Sequence, residues 1–142
     1  MRQAVPGELI LATAPRDSFK CANWGTTTPI PDSFVLTTDE IQFIRAATDA
    51  YNGFIQFEAS RHNLALVDMN AYFKTLPAGV AFNGITYNTQ YIMNGMFSLD
   101  GIHPTQRGYA LLANKIINDI NAFYKSTVNP VDANKYQGIK FP

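Results

Sequence analysis

Apolar and polar positions follow several rhythms along the chain, and each rhythm predicts its own kind of element. Residues 8–13 (ELILAT) are a short apolar run between Gly7 and Pro15, which reads as a buried strand. Residues 14–31 are rich in Thr, Pro, Ser, Asn and Gly and read as a long ordered loop anchored by Phe19 and Trp24. Pro29 and Pro31 exclude a helix around them. Thr37 and Glu40 have the spacing of a capping box, in which each satisfies a free backbone N–H at a helix start. Ile41, Ile44, Ala47 (or Thr48), Tyr51 and Ile55 then recur every three or four residues. This stripe predicts a helix of about six turns ending near Arg61. Gly53 lies inside it and is read as a point of close packing against a neighbour.

The second half begins with another continuous apolar run, residues 64–69 (LALVDM), ending on Asp68 and Met69. Such a run after a helix reads as a strand buried on both faces in a parallel sheet, and so predicts an α/β layered fold. A helical turn is expected over residues 71–76 and a small hairpin around Gly84. The last helix is the clearest, with Pro104 at its first position. Tyr109, Leu112, Ala113, Ile116, Ile120 and Phe123 form its apolar stripe, leaving Asp119 and the neighbouring asparagines to water. Residues 126–142 lack periodicity and read as an extended tail over the surface.

Composition narrows the function classes. With 142 residues, 46% hydrophobic and 15% charged, the chain is long and apolar enough for one domain of ordinary size. Eleven basic residues balance eleven acidic ones, so nucleic-acid binding has no electrostatic support. The basic side chains Arg107, Lys115, Lys135 and Lys140 are too sparse to make a strong patch. Cys21 is the only cysteine, which excludes an internal disulfide and a cysteine-based zinc site. The two histidines, His62 and His103, are too far apart for a zinc signature, and His62 reads as a helix C-terminal cap. No apolar run reaches the length of a membrane span, and residues 1–7 form no signal-peptide core. If the natural protein is exported, its signal is expected upstream. Tyr72, Phe73, Tyr87, Tyr91 and Phe97 make an aromatic middle, read as packing rather than a carbohydrate platform.

Candidate chemistry concentrates in residues 97–105, FSLDGIHPT. Asp100 and His103 are three apart in a turn that ends on a helix start. That spacing lets the carboxylate take a hydrogen bond from Nδ1–H, which fixes the tautomer and leaves Nε2 free to accept a proton. Gly101 permits the turn and Pro104 stiffens its exit. An Asp-x-x-His pair alone is most often a surface turn or cap; its flanks make this one specific.

The block Asp100-Gly101-Ile102-His103-Pro104-Thr105, followed by Gly108-Tyr109-Ala110 and an amphipathic helix, resembles the last block of SGNH/GDSL serine ester hydrolases, and the stretch at 29–37 resembles versions from Bacteroidetes-type bacteria. The helix bearing Tyr51-Asn52, the run Ala65-Leu66-Val67-Asp68 and the stretch PIPDSFVLT at 29–37 add to the resemblance, which covers about residues 7–123. It implies a three-layer α/β/α sandwich with a parallel, flavodoxin-like sheet, and hydrolysis of a lipid, aryl or acetyl-sugar ester without metal or organic cofactor. It also implies roles: Asp100 orients and His103 is the general base.

The resemblance stops at the nucleophile. The family's Gly-Asp-Ser segment and its Gly-x-Asn-Asp segment, which build the nucleophile and the oxyanion hole, do not occur in this sequence. The expectation is therefore the C-terminal part of a hydrolase, a single domain or half-domain lacking the first strands of the sheet and inactive alone. Ser98, on the same loop as the base, is a poor candidate nucleophile, and Ser18, Ser33, Ser60 and Ser126 lack an elbow context. A second reading is a non-catalytic binding or self-associating module on the same scaffold.

Overall fold

Residues 4–90 and 95–139 are described in the computed structural model of the chain. The chain divides into two compact units, Met1–Glu58 and Ala59–Pro142.

In the first unit the capping box forms as its spacing requires. Thr37 N–H donates to Glu40 Oε2 at 2.8 Å, and Glu40 N–H donates to Thr37 Oγ1 at 3.3 Å. Helix α2, Thr38–Arg61, follows and runs slightly past the unit's end. None of its residues is buried, and a Cβ added at Gly53 would meet nothing within 4 Å, so close packing does not explain that glycine. The run at 8–13 yields only β1, Leu9–Ile10, paired antiparallel with β2, Val35–Leu36. Leu9 and Ile10 are exposed, which corrects the buried strand. The proline-rich segment contains a short helix, α1, Arg16–Cys21, with Asp17 in its first turn and Lys20 in its last, as the helix dipole favours. Trp24 does anchor this region: it packs edge-on against Phe19 at 5.9 Å between ring centroids and against Phe34 at 5.6 Å. Cys21 is exposed.

The second unit holds the larger core. Asn63 turns left-handed (φ 52°) after α2, and Leu64 N–H returns to Ala59 O at 2.8 Å. Residues 64–68 form no strand among the described residues. Ala65 N–H instead bonds Tyr124 Oη at 3.2 Å. Asp68 ends no strand either. Its carboxylate accepts from Ala71 N–H at 2.8 Å and caps α3, Met69–Thr75. A 3-10 turn, Leu76–Ala78, leads into the expected hairpin of β3, Val80–Phe82, and β4, Ile85–Tyr87. Asn83 (φ 46°) and Gly84 (φ 79°) make its two-residue turn in the left-handed region that such hairpins need.

Helix α4, Gln106–Tyr124, starts two residues after Pro104 and is capped by Thr105. Its buried face is Gly108, Ala110, Leu111 and Asn114, whereas Tyr109, Ile116 and Phe123 of the expected stripe are exposed. The phase shifts because the tail folds back on the asparagine side. Asn114 accepts from Val131 N–H at 2.7 Å and donates to Val131 O at 2.8 Å. Asn121, two turns on, does the same to Val128 at 2.9 and 2.8 Å. Each side-chain amide thus pairs a tail residue as a neighbouring strand would. Asn114 and Asn121 therefore do not simply face water. Lys140 lies outside the described residues, and so does Tyr91.

Leu76, Tyr87, Met96, Ala110, Leu111 and Ala133 form the core of this unit, with Tyr72, Val80, Phe82, Phe97 and Val131 packed against it. These elements correct the expected parallel-sheet, three-layer sandwich. Of the described residues 49% are helical, and the sheets among them are two separate antiparallel pairs of short strands. Hydrophobicity alone predicted the strands, but a strand exists only with a hydrogen-bonding partner, and no described segment pairs with residues 64–68. No described helix is long and apolar enough to cross a membrane.

Candidate functional site: the Asp100–His103 loop

The loop that carries Asp100 and His103 is a closed turn standing on the core of the second unit. Met96, 2% exposed, roots one limb in that core. Thr105, capping α4, ends the other: its hydroxyl accepts from Gly108 N–H at 3.1 Å and donates to the carbonyl of Gly95. The limbs are tied together by Thr105 N–H to Met96 O at 2.9 Å and Ser98 N–H to His103 O at 2.8 Å, with Phe97 bridging to Pro104. At the tip, Gly101 N–H bonds Ser98 O at 3.0 Å, and Gly101 takes φ +72°, a conformation L side chains rarely adopt.

Gly108 explains how tightly the loop meets the helix. A Cβ there would lie 2.1 Å from Met96 O and 3.0 Å from Pro104 Cβ. Only glycine lets the first turn of α4 approach the loop root this closely. Arg107 braces the other side: its Nε donates to Tyr136 O at 3.0 Å and its guanidinium lies 5.7 Å from the Tyr87 ring centroid. Tyr87 is buried and donates to Asn134 Oδ1 at 2.5 Å.

Within this frame the two sequence-predicted site residues come together. His103 Nδ1 lies 2.6 Å from Asp100 Oδ2. The other carboxylate oxygen, Oδ1, accepts from Ser98 Oγ at 2.6 Å, Ile102 N–H at 2.8 Å and His103 N–H at 2.9 Å. The bonds from Ser98, from the imidazole and from the two backbone N–H groups hold the Asp100 carboxyl well below the usual carboxylate range, Ser98 contributing most. The pair is open to solvent, with 72% of the His103 side chain and 46% of the Asp100 side chain exposed. Desolvation therefore does little here, and hydrogen-bond geometry sets the electrostatics. A neutral imidazole that donates Nδ1–H to this carboxylate has its other nitrogen, Nε2, free to accept a proton.

Of the aromatic middle, Tyr72 and Phe97 join the core, and Phe97 also stacks on Phe73 at 6.4 Å. Burial pushes the Tyr72 phenol up. Sequence context offers Ser98 only as a poor candidate nucleophile and gives Thr105 no role of its own in the site, although Ser98-x-Asp100 is a spacing at which a hydroxyl reaches a neighbouring carboxylate. No group of three or more His, Cys, Asp or Glu side chains among the described residues could hold a metal ion. No protein-family model matches the chain, and no curated protein or solved structure is detectably similar to it.

Proposed function

We propose that this chain supplies the acid–base pair of a serine ester hydrolase, with His103 as general base and Asp100 as its orienting acid. The observation that carries the reading is the 2.6 Å contact between Nδ1 and Oδ2 on a loop whose every limb is tied down. In the proposed reaction a serine hydroxyl from outside these 142 residues attacks an acyl carbonyl and His103 Nε2 takes its proton. The imidazolium that forms is stabilised by the ionised Asp100. The same proton then passes to the leaving alcohol, and His103 activates the water that releases the acyl group. The substrate class is an ester of a lipid, an aryl group or an acetylated sugar; this loop acts on the hydroxyl, not on the rest of the substrate. The loop's resemblance to the Asp-x-x-His block of SGNH/GDSL hydrolases supports the chemistry, not a shared fold.

The test is turnover of a short-chain aryl ester by the protein as its gene encodes it. His103→Ala and Asp100→Ala should each lower kcat/KM by about 10²–10⁴-fold, the usual range for a general base, with the amide spectrum of the loop root unchanged. Absence of hydrolysis across aryl, acetyl-sugar and lipid esters would overturn the reading, as would hydrolysis indifferent to His103. The 142 residues alone should be inert. A second reading, a self-associating module, is favoured by the exposed Phe43, Tyr51, Phe54 and Phe57 along α2; sedimentation of the purified chain as a monomer would remove it.

A further inference from the structure

Ser98 lies two residues from Asp100 and five from His103, and its geometry gives it a task other than attack. Its hydroxyl does not address the imidazole. It donates to Asp100 Oδ1 at 2.6 Å, while the imidazole bonds Oδ2. The carboxylate therefore stands between the two, and the Ser98 proton is committed on the Nδ1 side of the ring, away from Nε2.

A carboxylate offers two equivalent oxygens, and a single imidazole N–H can use either. Which one it uses decides the plane and direction of the ring. Here Ile102 N–H and His103 N–H reach Oδ1 from the turn at 2.8 and 2.9 Å. Ser98 Oγ reaches the same atom from the opposite limb. Ser98 is itself fixed by its backbone bond to His103 O at 2.8 Å, so hydroxyl and ring are held to a common frame. We infer that Ser98 is a positioning residue of the pair: its hydroxyl completes a three-donor set on Oδ1 and leaves Oδ2 as the imidazole's sole acceptor. The inference rests on the reading of Asp100 and His103 as an acid–base pair. It also removes Ser98 from the list of nucleophiles, since attack would require withdrawing the hydroxyl from the carboxylate that orients the base.

The experiment uses the full chain labelled with ¹⁵N and ¹³C, as wild type, Ser98→Ala and Ser98→Thr. Long-range imidazole spectra read the tautomer of His103, and a carboxyl titration reads Asp100. Wild type should hold neutral His103 as the Nδ1–H tautomer. In Ser98→Ala the Asp100 midpoint should rise by about one unit, a tenfold change in proton affinity, and the tautomer ratio should move several-fold toward Nε2–H. Ser98→Thr, which keeps the hydroxyl, should restore both, and unchanged amide shifts at Met96 and Gly108 would show the loop root intact. If Ser98→Ala leaves both readouts in place, Ser98 is not a positioning residue, although the acid–base pair stands. If wild-type His103 is already the Nε2–H tautomer, the pair itself fails and the inference with it. If the readouts move as expected but the gene product cleaves no ester, the role of Ser98 within the pair holds and the hydrolase reading falls.

Discussion

At the scale of single residues, the candidate site is a set of short hydrogen bonds on one exposed turn, and its pH behaviour follows from that. Asp100 has a folded pKa below its unfolded value of about 3.9, because four hydrogen bonds favour the charged form. A group depressed on folding contributes stability that is fully present above the unfolded value and is lost as pH falls toward the folded one. Glu40, lowered by its bonds from Thr37, acts in the same direction. Stability should therefore fall with acid below about pH 4, and Asp100→Asn should flatten that part of the profile, as measured by urea unfolding across pH 2–7. Thr105 offers a second check. It caps α4 through Gly108 N–H and ties the loop through the carbonyl of Gly95. Thr105→Ala should cost about 1–2 kcal/mol in denaturant unfolding, and Thr105→Ser much less. Asp100 and His103 were legible in sequence because their contact is local: three residues and a glycine turn suffice to bring them together. The donors around them were less so. Nothing in the letters at 98, 102 and 103 says that all three will converge on one oxygen; that needs the loop to close, and closure depends on Met96 and Thr105 at its root.

At the scale of elements, the same distinction between local and distant partners separates what could be read from what could not. The start of α2 was legible because both halves of its cap lie within four residues. The hairpin around Gly84 was legible because Asn83 and Gly84 suit its turn by themselves. The buried face of α4 was not, because Asn114 and Asn121 look polar and reach partners in a tail that returns from beyond the helix. Asn114, 5% exposed, holds both backbone groups of Val131. Asn114→Ala would strand a part-buried N–H and C=O, and should destabilise by about 2–3 kcal/mol, with faster hydrogen exchange at Val131. Gly53 and Gly108 are opposite cases within helices. Gly53 touches nothing, so Gly53→Ala should stabilise by about 0.5–1 kcal/mol. Gly108 is pressed against Met96 O, so Gly108→Ala should destabilise by about 1–3 kcal/mol and displace the loop bearing Asp100 and His103. Thermal unfolding of the two variants should shift in opposite directions.

At the scale of the whole molecule, the layered α/β expectation failed for a physical reason visible in residues 64–68. Their apolar character names no partner, and a sheet is made by partners. The backbone there turns from the end of α2 into the cap of α3, so its hydrophobic side chains serve a connection. The core forms instead where α3, the β3–β4 hairpin, α4 and the tail converge on Leu76, Tyr87, Met96 and Leu111. That convergence matters to the site: Met96 belongs to it, and the loop bearing Asp100 and His103 grows directly from Met96.

On the proposed reading, His103 on this loop is a working general base for a serine nucleophile. The most direct test is covalent labelling of the protein, as its gene encodes it, with a serine-directed fluorophosphonate. A serine should be labelled, at a position other than Ser98, and His103→Ala should slow that labelling by about 10²–10⁴-fold while the protein stays folded. Labelling at the same rate in the presence and absence of the His103 imidazole would contradict the claim.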